Sequence, residues 1–248
     1  MQDATCHMPK RQLNFLSIIP ARSGSTQVKN KNIRLLGDKP LIYYTIRESL
    51  KSNVSRTIVS TDDSQIAILA KKFGAEVPFL RPKIYATHKS SSISVILNCL
   101  DYLKKTENYF PDYVVFLQPT SPFRQFTDIN NGIRKIMNSN ATSLVGIVEV
   151  TQHPFWMFKK GKKDKLGEFI RLRKKPLRRQ ELSKLYYIND ALFISKGQYY
   201  ERISHHKPLF DTTDLIGLEM NYPNSFDINT EMDFHIANLL LKSVNTRK

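Results

Sequence analysis

The chain has 248 residues, enough for one large domain or two small ones with a real core. Its hydrophobic fraction of 41% and charged fraction of 24% are those of a globular protein, and no apolar run approaches the ~20 residues of a membrane span. The net charge of +16 points to anions as partners, whether nucleic acid or small molecules, with a solvated lysine-rich surface as the plain alternative.

Residues 1–12 hold Cys6, His7 and two basic residues but lack the apolar stretch of a secretory signal. They are expected to form a flexible N-terminal tail. The only other cysteine is Cys99, so no disulfide framework can form, and a reducing, cytoplasmic compartment is expected. The first strong signal is a buried strand over residues 15–19, rich in β-branched and aromatic side chains and broken at Pro20. A small-residue turn follows, in which Gly24 and its flanking serines let backbone N–H groups face an anion. Arg22 adds a planar cationic fork and Lys31 a movable point charge. The segment therefore has the chemistry of a triphosphate cradle. It has neither the Gly-Lys-Ser/Thr ending of a P-loop nor a Gly-x-Gly-x-x-Gly fingerprint.

Apolar spacing predicts a helix over residues 40–52 and a second strand over 56–60, with Thr61-Asp62-Asp63 at its end. Asp62 or Asp63 is expected to cap a helix over 64–73 that stops at Gly74. A short extended piece over 77–80 leads to Arg81, and a serine-capped helix covers 90–104. A strongly apolar strand over 113–117 runs into Gln118-Pro-Thr-Ser-Pro-Phe-Arg124, whose two prolines hold the loop firm. A helix over 127–137 and a strand over 143–150 complete the alternation. Strands separated by helices imply βαβ units and a parallel sheet, whose ligands bind at the strands' carboxyl ends. Arg22, Asp62 and the loop from Gln118 to Arg124 all fall at such ends.

Beyond residue 150 the pattern changes. An aromatic run, His153-Pro-Phe-Trp-Met-Phe, precedes residues 159–179, where 11 Lys or Arg face only Asp164 and Glu168. Aromatics do not alternate with these cations, which argues against a single-strand nucleic-acid platform. Residues 186–195 read as a strand pair or edge, and residues 231–241 as a closing helix. His205 and His206, near Asp211 and Asp214, read as a loop pair rather than a metal site. With no low-complexity linker, the stretch from about 150 to 187 reads as an insertion on one domain.

Six segments, in order, carry a resemblance. They are Ile18-Ile-Pro-Ala-Arg-Ser-Gly-Ser with Lys31-Asn32; Ser60-Thr-Asp-Asp; Gly74-Ala-Glu-Val-Pro-Phe-Leu-Arg-Pro; Leu117-Gln-Pro-Thr-Ser-Pro-Phe-Arg; Arg178-Arg-Gln with Tyr186 and Asn189; and Phe226-Asp-Ile-Asn-Thr-Glu-Met-Asp-Phe. Together they resemble the cytidylyltransferases that activate sialic acid and related nonulosonic acids, the CMP-N-acylneuraminate synthetases. The runs from Glu76 and from His153 lean toward the members acting on legionaminic acid. The resemblance implies a Rossmann-like α/β fold, with a mostly parallel sheet and helices on both faces. It places a catalytic domain over residues 13–248, containing a smaller insertion at about 150–187 through which two chains pair and help close each other's sugar site.

The implied activity moves CMP from CTP to the sugar's anomeric hydroxyl, with Mg²⁺. By the same resemblance Arg22, Ser25, Lys31 and Asn32 would hold the triphosphate or ribose, and Arg81 and Ser92 would read the cytosine. Gln118 would lie between nucleotide and sugar, and Arg179, Gln180 and Tyr186 beside the sugar. Asp227, with Asn229, would bind the metal, and Arg22, Lys31, Gln118 and Asp227 form the implied catalytic set. Four positions depart from the family's pattern: Thr26 replaces a lysine, Asn229 the second metal aspartate, Asp190 a glycine and His88 an acid. A nucleotide-binding homologue with weak or no turnover therefore stays open as a second reading, and a basic nucleic-acid-binding protein as a third.

Overall fold

The computed structural model describes residues 12–24, 28–88, 90–170 and 178–245. Residues 1–11 of the expected tail at 1–12 lie outside the described residues, as do Ser25 and Thr26. In chain order the elements are β1 (Phe15–Pro20), β2 (Leu35–Leu36), β3 (Lys39–Pro40), α1 (Leu41–Lys51), β4 (Arg56–Ser60), α2 (Ser64–Lys72), α3 (Ser92–Glu107) and β5 (Tyr113–Phe116). Then come α4 (Phe126–Met137), β6 (Ser143–Glu149), β7 (Phe158–Lys160), β8 (Leu166–Glu168), β9 (Tyr186–Lys196), α5 (Gly197–Glu201), β10 (Leu215–Glu219) and α6 (Glu231–Asn245).

Helix starts follow local chemistry. Asp63, not Asp62, caps α2, its Oδ1 accepting the N–H groups of Gln65 at 2.7 Å and Ile66 at 3.1 Å. Ser91 caps α3, and a reciprocal Gln125–Asp128 capping box opens α4.

Six strands form one sheet in the order β10-β6-β9-β5-β1-β4. β1 runs parallel to β4 and β5, and β10 parallel to β6, while β9 is antiparallel to both its neighbours. The reading of 186–195 as a strand pair or edge is thus corrected: β9 is one 11-residue strand in the middle of the sheet. Its apolar half, Ala191 to Ile194, is buried between β5 and β6, while its first residues, exposed except at Asn189, run past β5 alongside β6. No strand forms over 77–80; Glu76 instead makes a single parallel bridge to Ile58.

Helices cover both faces. Ile42 and Ile46 of α1, Ile66 and Ala70 of α2, and Ile133 of α4 pack with Ile19, Val59 and Val115 on one side. Ile96 and Leu103 of α3 and Tyr200 of α5 pack with Leu16, Ile18 and Phe116 on the other. A third cluster joins Leu36, Leu41 and Tyr44 to Ile228 and Phe234, docking α6 on the β2–β3 hairpin. That docking sets the position of the loop carrying Asp227. Beyond the sheet's carboxyl edge, β6 and β9 continue as a paired arm to Glu149 and Tyr186. At its end β7 and β8 form a small antiparallel hairpin in which every residue is exposed.

Candidate active site

Parallel β1, β4 and β5 finish at one edge, so the loops after them meet there. The loop after β1 is tied down twice. Asn32 donates its side-chain Nδ2 to the Arg22 carbonyl at 3.0 Å, and Ser23 donates its N–H and hydroxyl to the Asp62 carboxylate at 3.0 and 2.7 Å. Asp62, one of two candidate caps read from the sequence, therefore braces the loop after β1 against the end of β4. The third loop joins the same edge through the Ile228 N–H, which donates to the Thr120 carbonyl at 2.9 Å.

One cavity of about 220 Å³ opens among these loops, with Arg22, Lys31, Asn32, Arg81, Ser92 and Gln118 in its wall. Six residues singled out from the sequence are thereby brought together, from four separate stretches of chain. Lys31 donates Nζ to the Ile228 carbonyl at 3.0 Å. Burial lowers its pKa from the ordinary lysine value, and the Asp227 charge opposes that shift. Arg81 is 4% exposed, yet its Nε and Nη2 have no hydrogen-bond partner among the described residues. A buried guanidinium with two unused donors is costly unless a ligand supplies acceptors. Burial also lowers its pKa.

Asp227 stands beside Lys31 on the loop before α6. That loop is fixed by a reciprocal cap: the Asp233 carboxylate accepts the N–H groups of Thr230 and Asn229 at 2.7 and 3.0 Å, while the Thr230 hydroxyl accepts the Asp233 N–H at 3.2 Å. Asn229 donates to Asp227 Oδ2 at 2.6 Å, and Asp227 Oδ1 is buried with no partner among the described residues. One orphaned carboxylate oxygen beside an amide suits a hard cation such as Mg²⁺, which takes one or two carboxylates plus phosphate oxygens and water. Among the described residues no group of three or more His, Cys, Asp or Glu could hold a metal, His205 included; its ring stacks on Tyr85.

A second cavity, of about 310 Å³, shares Ser92 and Gln118 with the first and adds Ile188, Asp190, Lys207 and Phe210. Gln118 thus stands at the junction of two openings. Gln180 and Tyr186 lie elsewhere, exposed on the arm, and the Arg179 side chain lies outside what the structure describes.

Two residues named from the sequence take parts it did not assign. Arg124, expected at the site's rim, is 1% exposed and points inward, donating Nη1 to the Ala191 and Gln118 carbonyls at 2.6 and 3.3 Å and Nη2 to Thr45 Oγ1 at 2.9 Å. It fastens the Gln118 loop to β9. Burial lowers its pKa to about 10. Asp190 occupies a left-handed backbone conformation, φ 58°, where β9 shifts register against β6. The glycine the family pattern places there suits that conformation, and aspartate tolerates it. Burial, with the Asp227 charge second, raises its pKa.

The family model described as "Cytidylyltransferase" matches residues 16–220. An N-acylneuraminate cytidylyltransferase of Escherichia coli is 33% identical over 94% of this chain, which spans 54% of that protein. The CMP-N,N'-diacetyllegionaminic acid synthase of Legionella pneumophila is 32% identical, covering 93% of this chain and 97% of its own length. Among solved structures, a CMP:2-keto-3-deoxy-manno-octonic acid synthetase complexed with CTP superposes with a TM-score of 0.67 at 14% identity, covering 93% of this chain and 99% of that one; this is a likeness of fold. A match that takes in the sheet, the cavity loops and the arm leaves one assignment, and the chain belongs to the cytidylyltransferase family.

Proposed function

We propose that the protein transfers CMP from CTP to the anomeric hydroxyl of a nonulosonic acid, releasing pyrophosphate, as a Mg²⁺-dependent cytoplasmic homodimer. The observation that carries this reading is the single cavity walled by Arg22, Lys31, Asn32, Arg81, Ser92 and Gln118, opening at Gln118 onto a second. The names of the relatives, which act on N-acylneuraminate and diacetyllegionaminate, support the sugar class. That of a Campylobacter jejuni pseudaminic acid cytidylyltransferase, 29% identical over 92% of this chain, supports it too.

In this reading the unused donors of Arg81 meet acceptors on the cytosine, with Ser92 beside them. Arg22 and Lys31 lie along the triphosphate. The anomeric O–H gives its proton to water, its oxygen bonds to the α-phosphorus, and the bond to pyrophosphate breaks with the electron pair leaving on that group. Fixed cations stabilise the negative charge that develops, more strongly where water is displaced. Asp227 and the Asn229 side-chain carbonyl would hold Mg²⁺, which supplies further positive charge at the phosphates. Gln118 spans nucleotide and sugar.

The arm supports the homodimer. It exposes Trp156, Phe158, Leu166 and Phe169 to solvent, an apolar surface that a second chain would cover. Gln180 and Tyr186 on that arm would then meet the partner's sugar.

Asn229, an uncharged amide where the family pattern has a second aspartate, favours one other reading: a nucleotide-binding homologue that turns over weakly. A pyrophosphate-release panel with CTP and Mg²⁺ against N-acetylneuraminate, legionaminate, pseudaminate and the eight-carbon Kdo separates the two. Release with one nine-carbon acid, lost in Asp227→Asn and slowed with weaker CTP binding in Arg22→Ala, establishes the synthetase. Calorimetric CTP binding without release from any acid establishes the homologue.

A further inference from the structure

The second cavity carries two charges of opposite sign that nothing so far has used. Asp190 and Lys207 both line it, among apolar Ile188, Leu209 and Phe210. No hydrogen bond or ion pair engages the Asp190 carboxylate or the Lys207 ammonium among the described residues, and the two do not pair with each other.

Asp190 is held from three sides. The Asn189 side-chain Oδ1 accepts the Ala191 N–H at 3.1 Å, closing a turn around Asp190. Arg124 grips the Ala191 carbonyl at 2.6 Å. Asn189 in turn rests on Gly146, where any Cβ would lie 2.5 Å from its Oδ1. By register, Phe193 pairs with Phe116, the last residue of β5, so Asp190 stands just past the carboxyl edge. A bulged strand re-aims a side chain, and here the residue at the bulge is an aspartate that lines the second cavity, as Gln118 does.

We propose that Asp190 and Lys207 orient the acidic sugar, Lys207 attracting its carboxylate and Asp190 accepting hydrogen bonds from its hydroxyls. The inference rests on the synthetase reading. A sugar with one carboxylate can enter the cavity either way round. Like charge disfavours the entry that brings its carboxylate against Asp190. The other entry makes charge-assisted bonds at both ends, and so fixes which carbon faces the nucleotide across Gln118. A glycine at 190 would leave that choice to Lys207 alone.

The test compares wild type with Asp190→Gly and Lys207→Gln, using whichever acid the wild-type chain accepts, with steady-state kinetics, calorimetric CTP binding and thermal melting. Each variant is expected to raise the sugar KM about tenfold, the loss of a charge-assisted contact, with CTP affinity unchanged. Asp190→Gly should melt no lower than wild type, because φ 58° suits glycine. In the double variant the two effects should be non-additive, since both charges act on one ligand. Wild-type sugar KM in both single variants overturns the inference and leaves the synthetase reading standing. Weakened Mn²⁺ or CTP binding in Asp190→Gly at unchanged sugar KM overturns it in favour of a metal role. A wild-type chain that accepts no acid overturns both readings.

Discussion

Lys31 is a cation whose own protein solvates it poorly: one carbonyl hydrogen bond, partial burial, and Asp227 nearby. Its lowered pKa means that, in the free protein, the unfolded chain holds the proton to higher pH than the folded one. The group therefore costs folding stability while charged, and that cost fades as pH rises toward the ordinary lysine value. A bound triphosphate reverses the sign, because polyanionic oxygens raise the pKa again. CTP binding should then take up a proton in the alkaline range, and affinity should fall as pH passes the free-protein pKa of Lys31, approaching about tenfold per pH unit. Calorimetry in buffers of different ionisation enthalpy measures the uptake directly. Lys31→Arg, whose guanidinium does not titrate there, should flatten the profile; a wild-type affinity independent of alkaline pH would remove Lys31 from the phosphates.

At the scale of elements, the junction of β9 and α5 tests how tightly the sheet's far end is packed. An ideal Cβ on Gly197 would fall 2.1 Å from the Pro111 backbone oxygen, and the Gly197 N–H already donates to the Asp112 carbonyl at 2.7 Å. Backbone cannot yield as a side-chain tip does. Gly197→Ala should therefore destabilise by about 2–3 kcal/mol, lowering the melting temperature by ~4–12 °C for a chain of this size. The junction lies at the opposite edge from the cavity, so CTP affinity at low temperature should be unchanged. An unaltered melting temperature would show that the strand ends are loosely joined. The elements around this junction show what the sequence discloses. β1, β4 and β5 carry apolar residues buried on both faces, and α1 to α4 keep helical spacing, so periodicity finds them. β9 joins an exposed arm to a buried apolar half, and its central place depends on pairings with β5 and β6 that lie far away in sequence. The site was legible in the same uneven way. Loops after parallel strands locate Arg22 and Gln118, whereas the inward turn of Arg124 and the re-aimed Asp190 follow from burial and a register shift that no local pattern records.

For the molecule as a whole, the distribution of charge and apolar surface matters more than any single contact. The sheet and its helices bury their own apolar residues, but the arm leaves Phe158 49% and Leu166 65% exposed beside a run of lysines. Like-charged arms repel each other, so pairing requires that apolar contact outweigh repulsion, and salt should favour it by screening. Wild-type chain is expected to sediment as a dimer that tightens between low and moderate salt. Phe158→Glu with Leu166→Glu should yield monomers that melt at the wild-type temperature, because neither residue belongs to the sheet's core. CTP binding should survive in those monomers, since the wall of the first cavity comes from the body of one chain. Sugar KM should rise, because the partner's arm would no longer bring Gln180 and Tyr186 to the sugar. A wild-type monomer at micromolar concentration and moderate salt would refute the pairing outright and assign the exposed aromatic surface to a different protein.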